Sequence, residues 1–267
     1  MTRLWFLIRL VRKAEQRLGY HPDDKEPTGV ALPGRRALVV ATNHGVLDIG
    51  KPTGVFASEL TAAYYNFLDA GMEVDVASPG GGVIPVDPLS LNPLVRTSFD
   101  DRFLADDLLR SKVTASLPIN SVDVVAYDIV YLAGGWGAAF DFDAPALAAA
   151  MTEANAAGKV IGGVCHGPLG LVKATGADGR PLIAGRRVTG ASDRQIRELG
   201  IASTPLHPET ELRRAGGLYE AKRRFRDVLA NHWVVDGNLV TGQNQNAAPV
   251  VARQMMRLAS QRLEAGP

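Results

Sequence analysis

The chain has 267 residues, enough to bury a substantial core, and it has the composition of an ordinary globular protein, with 46% hydrophobic and 21% charged residues. Its 29 basic and 28 acidic side chains nearly cancel, which argues against a nucleic-acid-binding protein. A single cysteine excludes an intrachain disulfide and zinc sites built on several cysteines. No apolar run approaches the roughly 18 residues needed to cross a bilayer.

Residues 1–20 carry apolar side chains at roughly helical spacing, with basic residues between them. Arg9 interrupts the apolar run and no small-residue cleavage site follows, so the segment is not a signal peptide, and we expect a cytoplasmic protein. The pattern predicts a basic amphipathic helix that packs on its own domain, on a dimer partner or on an anionic membrane surface. Residues 19–36 contain three prolines and mixed charge, which is typical of a linker.

From Arg36 onward, short apolar runs alternate with helical patterns. The predicted strands cover residues 37–41, 73–77, 128–133 and 159–164. The predicted helices cover residues 55–70, 144–157, 168–174, 209–215 and 247–263, and a further charged helix begins near Ser192. Two hairpins are predicted, one joining 180–183 to 187–189 and one joining 233–235 to 239–241 through Asp236-Gly237, a pair suited to a turn with positive φ.

This alternation predicts an α/β fold with a mostly parallel sheet and helices on both faces. We expect one such domain over residues 36–267, preceded by a helical arm and linker over residues 1–35. Ligands of open parallel sheets bind beyond the carboxyl ends of the strands. Gly134-Gly135, Cys165-His166 and the turn after Ala77 all follow predicted strands, so we expect the functional site where these segments converge.

Cys165 is either a small core residue or a nucleophile, and its neighbours favour the nucleophile. A strand predicted to end at Val164 delivers it, and Gly167-Pro168 is suited to begin a helix. Flanking glycines allow the close backbone packing that a nucleophile elbow requires. A helix beginning at this point would lower the pKa of the thiol, and the backbone N–H of His166 would be a natural oxyanion donor.

The segment Val-Cys-His-Gly-Pro, residues 164–168, closely resembles the nucleophile elbow of the ThiJ/PfpI superfamily, which is similar in fold to class I glutamine amidotransferases. Further segments resemble motifs of that family in the same order along the chain: 51–60, 74–88, 127–141 and 234–244. The resemblance extends from Ala37 to Ala259. It implies a flavodoxin-like fold with a C-terminal hairpin, and it points to the branch of heat-inducible holding chaperones and glutathione-independent glyoxalases.

The resemblance also implies roles for individual residues. Cys165 matches the nucleophile, and Glu59 matches the acid that lies against the sulfur and shuttles protons. A carboxyl group beside a thiolate in a closed pocket would have a raised pKa and could act as acid and base. His166 matches the histidine beside the nucleophile and is expected to orient it. Its acidic partner would be Asp193, which could instead cap a helix, and Glu198 is the alternative.

Gly134 and Gly135 match a backbone oxyanion site that would face the sulfur. Trp136 stands where many relatives have the histidine of Gly-Gly-His-Gly, and an indole is bulkier and donates through one N–H. His44 either reaches the pocket or makes a structural hydrogen bond. No metal-ligand spacing and no nucleotide-binding glycine motif is present, so neither a metal nor a cofactor is expected.

The resulting hypothesis is a cysteine-dependent, cofactor-free enzyme that converts α-oxoaldehydes, such as methylglyoxal to lactate, or that removes early sugar adducts by the same thiolate. A holding chaperone without turnover and a cysteine hydrolase acting on amides are the alternatives. The expected partners are a small aldehyde substrate and a second copy of the chain, because dimers are common in this superfamily.

Overall fold

The structure is a computed structural model that describes residues 10, 11, 13, 14, 17, 29–201 and 203–264. Its strands are β1 (Arg36–Val40), β2 (Glu73–Ser78), β3 (Leu117–Pro118), β4 (Ile129–Leu132), β5 (Val160–Val164), β6 (Arg187–Val188), β7 (Leu218–Tyr219), β8 (Trp233–Asp236) and β9 (Leu239–Gly242). Seven of them form one sheet in the order β3-β2-β1-β4-β5-β9-β8, in which every neighbouring pair is parallel except β8 with β9. The short β6 and β7 pair in parallel in a separate sheet.

The α-helices are α1 (Ala57–Asp69), α2 (Ser98–Leu104), α3 (Asp107–Thr114), α4 (Ala138–Asp141), α5 (Pro145–Ala156), α6 (Asp193–Glu198), α7 (Pro208–Arg214) and α8 (Ala248–Glu264). Alternate side chains of β1 enter two different hydrophobic cores. Ala37 and Val39 pack with residues of α1 and α8, whereas Leu38 and Val40 pack with residues of α5. This alternation follows from the period of two in a strand, and it confirms the predicted sheet with helices on both faces.

Most of the predicted elements are confirmed within one to three residues of their ends. The second hairpin is confirmed as the antiparallel pair β8 and β9, and Gly237 in its turn has a φ of 59°. The predicted helix over 168–174 is wrong, because the chain forms only a five-residue 3-10 helix, Gly167–Leu171. Gly170 lies so close to Leu132 and Leu147 that an added Cβ would be 3.0 Å from a side-chain atom of each.

The predicted hairpin joining 180–183 to 187–189 is also wrong. The N–H of Leu182 donates to the carbonyl oxygen of Ala174 at 2.8 Å, and the Leu182 side chain is buried in the core. The segment that follows pairs in parallel with β7 as β6, and the N–H of Arg187 donates to a carboxylate oxygen of Asp236 at 2.9 Å. Contacts with distant parts of the chain therefore determine the path of residues 187–189, in place of pairing with residues 180–183.

The sequence patterns did not reveal α2 and α3. Thr97 and Asp100 form a capping box at the start of α2, and the side chain of Asp106 caps α3 by accepting the N–H groups of Leu108 and Leu109. The spacing Thr-x-x-Asp was visible in the sequence, but each helix presents few apolar residues to the core.

Most of the predicted amphipathic helix lies outside the described residues; residues 10, 11, 13, 14 and 17 are helical. At the end of the predicted linker, Leu32 is buried and donates its N–H to the carbonyl oxygen of Ala70. The division into an arm over 1–35 and a domain over 36–267 stays a prediction. Among the described helices, none combines the length and the apolar character that crossing a membrane requires.

Gly162 lets β5 and β9 approach each other closely in the centre of the sheet. Its φ is 156°, and an added Cβ would lie 1.7 Å from the carbonyl oxygen of Val240. We expect Gly162→Ala to lower the free energy of unfolding by on the order of 3 kcal/mol, because the strands must separate to accommodate the methyl group. Chemical denaturation with urea measures the change.

Gly34→Ala is the control, since Gly34 has a φ of 70° but open space where its Cβ would lie. This variant introduces backbone strain without a clash, and we expect it to lose only about 1 kcal/mol. Equal losses in the two variants would contradict the close approach of β5 and β9.

Candidate active site

Cys165 lies on a sharp turn directly after β5. Its φ of 58° makes it the one non-glycine residue with a positive φ in the described part of the chain, a conformation that is strained for an L-amino acid. Two backbone hydrogen bonds hold the residue there: its N–H donates to Gly242 at 3.0 Å, and its carbonyl oxygen accepts from Ala191 at 2.9 Å. The turn therefore presents the sulfur at the carboxyl ends of the central strands, as expected for a nucleophile elbow.

Glu59 enters the same site from the first turn of α1. Its side chain is buried, and its carboxyl group interacts with the Cys165 thiol and with the backbone N–H of Gly134. Gly134 permits this packing because an added Cβ would lie 2.5 Å from Oε2 of Glu59 and 2.7 Å from the amide nitrogen of His166. The Glu59 backbone is held in turn by the buried Tyr131 hydroxyl, which donates to its carbonyl oxygen at 2.9 Å.

Burial raises the pKa of the Glu59 carboxyl to about 8, and hydrogen bonds from Cys165 and Gly134 only partly offset this. Burial also raises the pKa of the Cys165 thiol, as does the neighbouring Glu59 carboxyl, and the backbone N–H groups of Gly135 and His166 oppose the increase. The expected lowering of the thiol pKa is therefore wrong for the resting site. The 3-10 helix after the elbow is too short to supply a strong helix dipole, and the pocket disfavours negative charge.

His166 contacts the sulfur of Cys165 directly. Its Nδ1 lies 3.3 Å from Sγ of Cys165, whereas its Nε2 is buried and has no hydrogen-bond partner among the described residues. Burial, together with the nearby His207, lowers the pKa of His166 to about 3. The imidazole is therefore neutral at physiological pH and carries one ring hydrogen.

Asp193 forms its hydrogen bonds with residues other than His166. Its Oδ2 accepts a hydrogen bond from the Thr210 hydroxyl at 2.8 Å, and its backbone N–H donates to Oε2 of Glu209 at 3.0 Å. The neighbouring Ser192 caps α6 through its side chain, so Asp193 is the first helical residue. The structure thus shows no hydrogen bond between Asp193 and the histidine within the described residues.

Glu198 has other partners as well. It forms a salt bridge with Arg194 at 2.8 Å and accepts the backbone N–H of Asp227 at 2.8 Å. Neither acid completes a catalytic triad with His166 in this structure. The roles predicted for Asp193 and Glu198 therefore remain without structural support.

A cavity of about 110 Å³ opens beside the sulfur. Its wall is largely apolar, and it is lined by Phe56, Glu59, Leu89, Gly135, Trp136, Cys165, His166, Ala191, Gln195, Ile196, Leu199, Ile201, Val228 and Gln245. Trp136 is half-buried and its ring lies 4.8 Å from that of His166, centroid to centroid. The indole therefore narrows the site without filling it, and a small molecule has room next to Cys165.

His44 takes a structural position rather than a place in the cavity wall. Its ring stacks on Phe140 with the centroids 4.0 Å apart, and its Nε2 pairs with the carbonyl oxygen of Val46. Within the described residues, no group of three or more His, Cys, Asp or Glu side chains is arranged to hold a metal ion.

Sequence patterns missed Tyr131 and much of the cavity wall. Tyr131, inside the predicted strand before Gly134-Gly135, donates a hydrogen bond to the backbone of Glu59. Gln195 and Ile196 of α6 and Leu199, the residue after that helix, line one part of the cavity. Only the spacing of these three residues in and directly after a short helix, following the capping Ser192, could have indicated a shared face.

The chain matches known proteins over most of its length. It is 26% identical over 243 residues to the glutathione-independent glyoxalase hsp3101 of Schizosaccharomyces pombe, covering 86% of this chain and 98% of that protein. It is 32% identical over 214 residues to the glutathione-independent glyoxalase HSP31 of Saccharomyces cerevisiae, covering 74% of this chain and 86% of that protein.

The crystal structure of glyoxalase III from Candida albicans has a TM-score of 0.76 and 25% sequence identity, covering 84% of this chain and 97% of that chain. The model of the DJ-1/PfpI family matches residues 46–258. These residues include the elbow at Cys165, Glu59 and the glycine turn after β4, so the motifs and the whole-chain comparisons agree. The chain belongs to the DJ-1/PfpI family.

Proposed function

We propose that this protein is a glutathione-independent glyoxalase that converts small α-oxoaldehydes to 2-hydroxy acids with Cys165 as its nucleophile. The observation that supports this most directly is the buried pair of Cys165 and Glu59 beside a small cavity. A reaction that moves protons between adjacent carbons needs a nucleophile and a carboxyl group of raised pKa at the same place. The relatives named as glyoxalases support the same assignment.

In the first step, ionised Glu59 takes the thiol proton and Sγ forms a bond with the aldehyde carbon, C1. The π electrons of the aldehyde become a lone pair on its oxygen, which receives the proton from Glu59 and becomes a hydroxyl group. The backbone N–H groups of Gly135 and His166, which act on the sulfur in the resting site, are suited to stabilise the developing negative charge. The product is a hemithioacetal, and Glu59 is again ionised.

In the second step, Glu59 removes the remaining hydrogen of C1 as a proton. The electron pair of that C–H bond forms a double bond between C1 and C2, and the C2 carbonyl oxygen takes up a proton. Protonation of C2 and loss of the proton from the C1 hydroxyl leave a thioester, and addition of one water releases the 2-hydroxy acid and the thiol. Every proton transfer uses groups of this chain or water, so the reaction needs no cofactor.

The cavity sets the size of the substrate. A volume of about 110 Å³ accommodates a three-carbon aldehyde such as methylglyoxal, and the apolar wall excludes much of the competing water. Removal of sugar adducts by the same thiolate would require the larger substrate to pass Trp136. We also propose that the protein acts in the cytoplasm as a homodimer, as the sequence led us to expect.

We expect purified wild-type protein to convert methylglyoxal to lactate, and Cys165→Ala to abolish turnover. Glu59→Gln removes the proton acceptor and keeps the shape of the side chain, so its kcat should fall by about 10²–10⁴-fold. Enzymatic detection of lactate measures both. No turnover by the wild type, or undiminished turnover by Cys165→Ala, would contradict the assignment. If Cys165→Ala still prevents the aggregation of unfolded client proteins, the holding chaperone is favoured instead.

The pKa of Glu59, about 8, also predicts the pH profile. Because Glu59 must be ionised to accept a proton, kcat should rise about tenfold per pH unit below this value and level off above it. Initial rates between pH 6 and 9, corrected for the uncatalysed reaction of methylglyoxal, measure the profile. A rate that is independent of pH, or that falls over this range, is the contradicting result.

Glu59 also makes stability depend on pH. Its pKa is near 4.5 when exposed and about 8 in the folded protein, so between these values the folded state binds more protons than the unfolded state. The contribution of Glu59 to stability is therefore greatest below its pKa in the unfolded state, and it is lost as the pH rises toward its pKa in the folded state. Glu59→Gln cannot ionise, so we expect its Tm relative to wild type to increase by about 3 °C or more between about pH 5 and pH 8.5.

The exposed Glu153 provides the control for this measurement. Glu153→Gln removes a carboxyl group of the same size from the surface, so its Tm difference from wild type should change little over the same pH range. Parallel pH dependence in the two variants would show that the burial of Glu59 is not responsible.

A further inference from the structure

Three buried polar atoms in the cavity wall have no hydrogen-bond partner among the described residues: Oε2 of Glu59, Oε1 of Gln195 and Nε2 of His166. The proposed reaction already uses the Glu59 carboxyl for proton transfer. Gln195 and His166, which are 3% and 2% exposed, leave two unpaired atoms without an assigned role. Buried polar atoms in folded proteins are nearly always paired, and an unpaired one is costly. A molecule bound in the cavity is therefore the natural partner of both.

The two atoms differ in hydrogen-bonding character. The neutral His166 carries one ring hydrogen, and in the tautomer that places it on Nε2 this atom is a donor. The carboxamide oxygen of Gln195 can only accept. In that tautomer the two atoms offer a bound molecule one donor and one acceptor.

Buried hydrogen bonds hold Gln195 in place in the first turn of α6. Its backbone N–H donates to the Ser192 hydroxyl oxygen at 3.0 Å, and that hydroxyl donates to Asp227 at 2.8 Å. Ser192 and Asp227 are both buried, and Asp227 is also reached by Arg194. The first turn of α6 is therefore fixed against the protein interior, which fixes the position from which the carboxamide extends.

The covalent adduct of the proposed reaction carries groups that complement this pair. After Sγ has added to the aldehyde, C1 bears a hydroxyl group, which is a donor, and C2 retains its carbonyl oxygen, which is an acceptor. We propose that Gln195 binds the C1 hydroxyl of this adduct through Oε1 while Nε2 of His166 donates to the C2 oxygen. This assignment rests on the proposed function, and it adds a residue of α6 to the substrate-binding site.

The proposal predicts when Gln195 acts. The free aldehyde has no C1 hydroxyl, so the hydrogen bond forms only after the C–S bond has formed. Removing an interaction that is absent from the first complex but present in the adduct and the later steps lowers kcat/KM, and it raises KM where the adduct accumulates. A residue that merely shapes the pocket would not distinguish a substituted side chain that keeps an acceptor oxygen from one that lacks it.

The test compares Gln195→Met, which keeps the length of the side chain but has no strong acceptor, with Gln195→Glu, which keeps an acceptor oxygen. We expect Gln195→Met to lower kcat/KM for methylglyoxal by about 10–100-fold. Gln195→Glu should recover part of the loss. Gln245→Met makes the same chemical change elsewhere in the cavity wall, where the carboxamide already donates to Val228 at 3.5 Å, and should lose less.

A second readout follows the adduct independently of turnover. Methylglyoxal should protect Cys165 from alkylation by iodoacetamide, as read by intact mass, and Gln195→Met should raise the half-protecting concentration by about tenfold or more. The half-protecting concentration of each variant is referred to its own alkylation rate without methylglyoxal. A half-protecting concentration that stays raised in Gln195→Glu would indicate a structural role for Gln195 and overturn the proposal.

The outcomes separate this proposal from the proposed function. If the wild type turns over methylglyoxal and Gln195→Met matches it in kcat/KM and in protection, the role of Gln195 is refuted while the glyoxalase assignment stands. If the wild type shows no turnover but its protection depends on Gln195, the assignment fails and the binding role stands. Absence of protection in the wild type means that no adduct forms and overturns both.

Discussion

The contact between the Glu59 carboxyl and the Cys165 thiol is the constraint on which the rest of the site depends. Both groups are buried, and burial disfavours the ionised form of each, so the pocket resists holding two negative charges at once. The protonation state of this pair therefore strongly affects the free energy of the site. In the proposed reaction, the covalent bond between the sulfur and the substrate removes one of the two ionisable groups, and Glu59 can then act as a base.

Close backbone packing makes this contact achievable. Gly134 stands where a side chain would collide with Glu59, and Gly135 stands where an added Cβ would lie 2.4 Å from the amide nitrogen of Phe56, at the start of α1. The turn after β4 and the first turn of α1 thus approach each other through glycine. Cys165, by contrast, keeps its strained φ because β9 and the segment at Ala191 both hydrogen bond to its backbone. The backbone strain at Cys165 is thus sustained by hydrogen bonds from the surrounding structure.

The sequence allowed the parallel strands and the elbow to be predicted, because a buried strand that ends in Gly-Gly or in Cys-His-Gly-Pro is a local pattern. The proximity of Glu59 to Cys165 followed only from the resemblance to a family, since more than a hundred residues separate them. Two short helices, α2 and α3, escaped notice because each contributes few apolar side chains. The paths of β6 and α6 were unpredictable for another reason: contacts with β7, Asp236 and Asp227 decide them, and these lie far along the chain.

The position of Asp193 shows why the chemistry of His166 could not be inferred from motif order. An acid beside the imidazole would favour its protonated form and make it a strong general base, as in amide-cleaving cysteine enzymes. Here Asp193 is bound to Thr210, and burial lowers the pKa of His166 to about 3, so protonating the ring in the resting site is unfavourable. An imidazole of such low pKa is a weak base, so it suits hydrogen bonding to a carbonyl oxygen better than it suits accepting the proton of a nucleophile. In the proposed reaction the protons are therefore moved by Glu59, an arrangement that rearrangement of an α-oxoaldehyde requires and that hydrolysis of an amide does not.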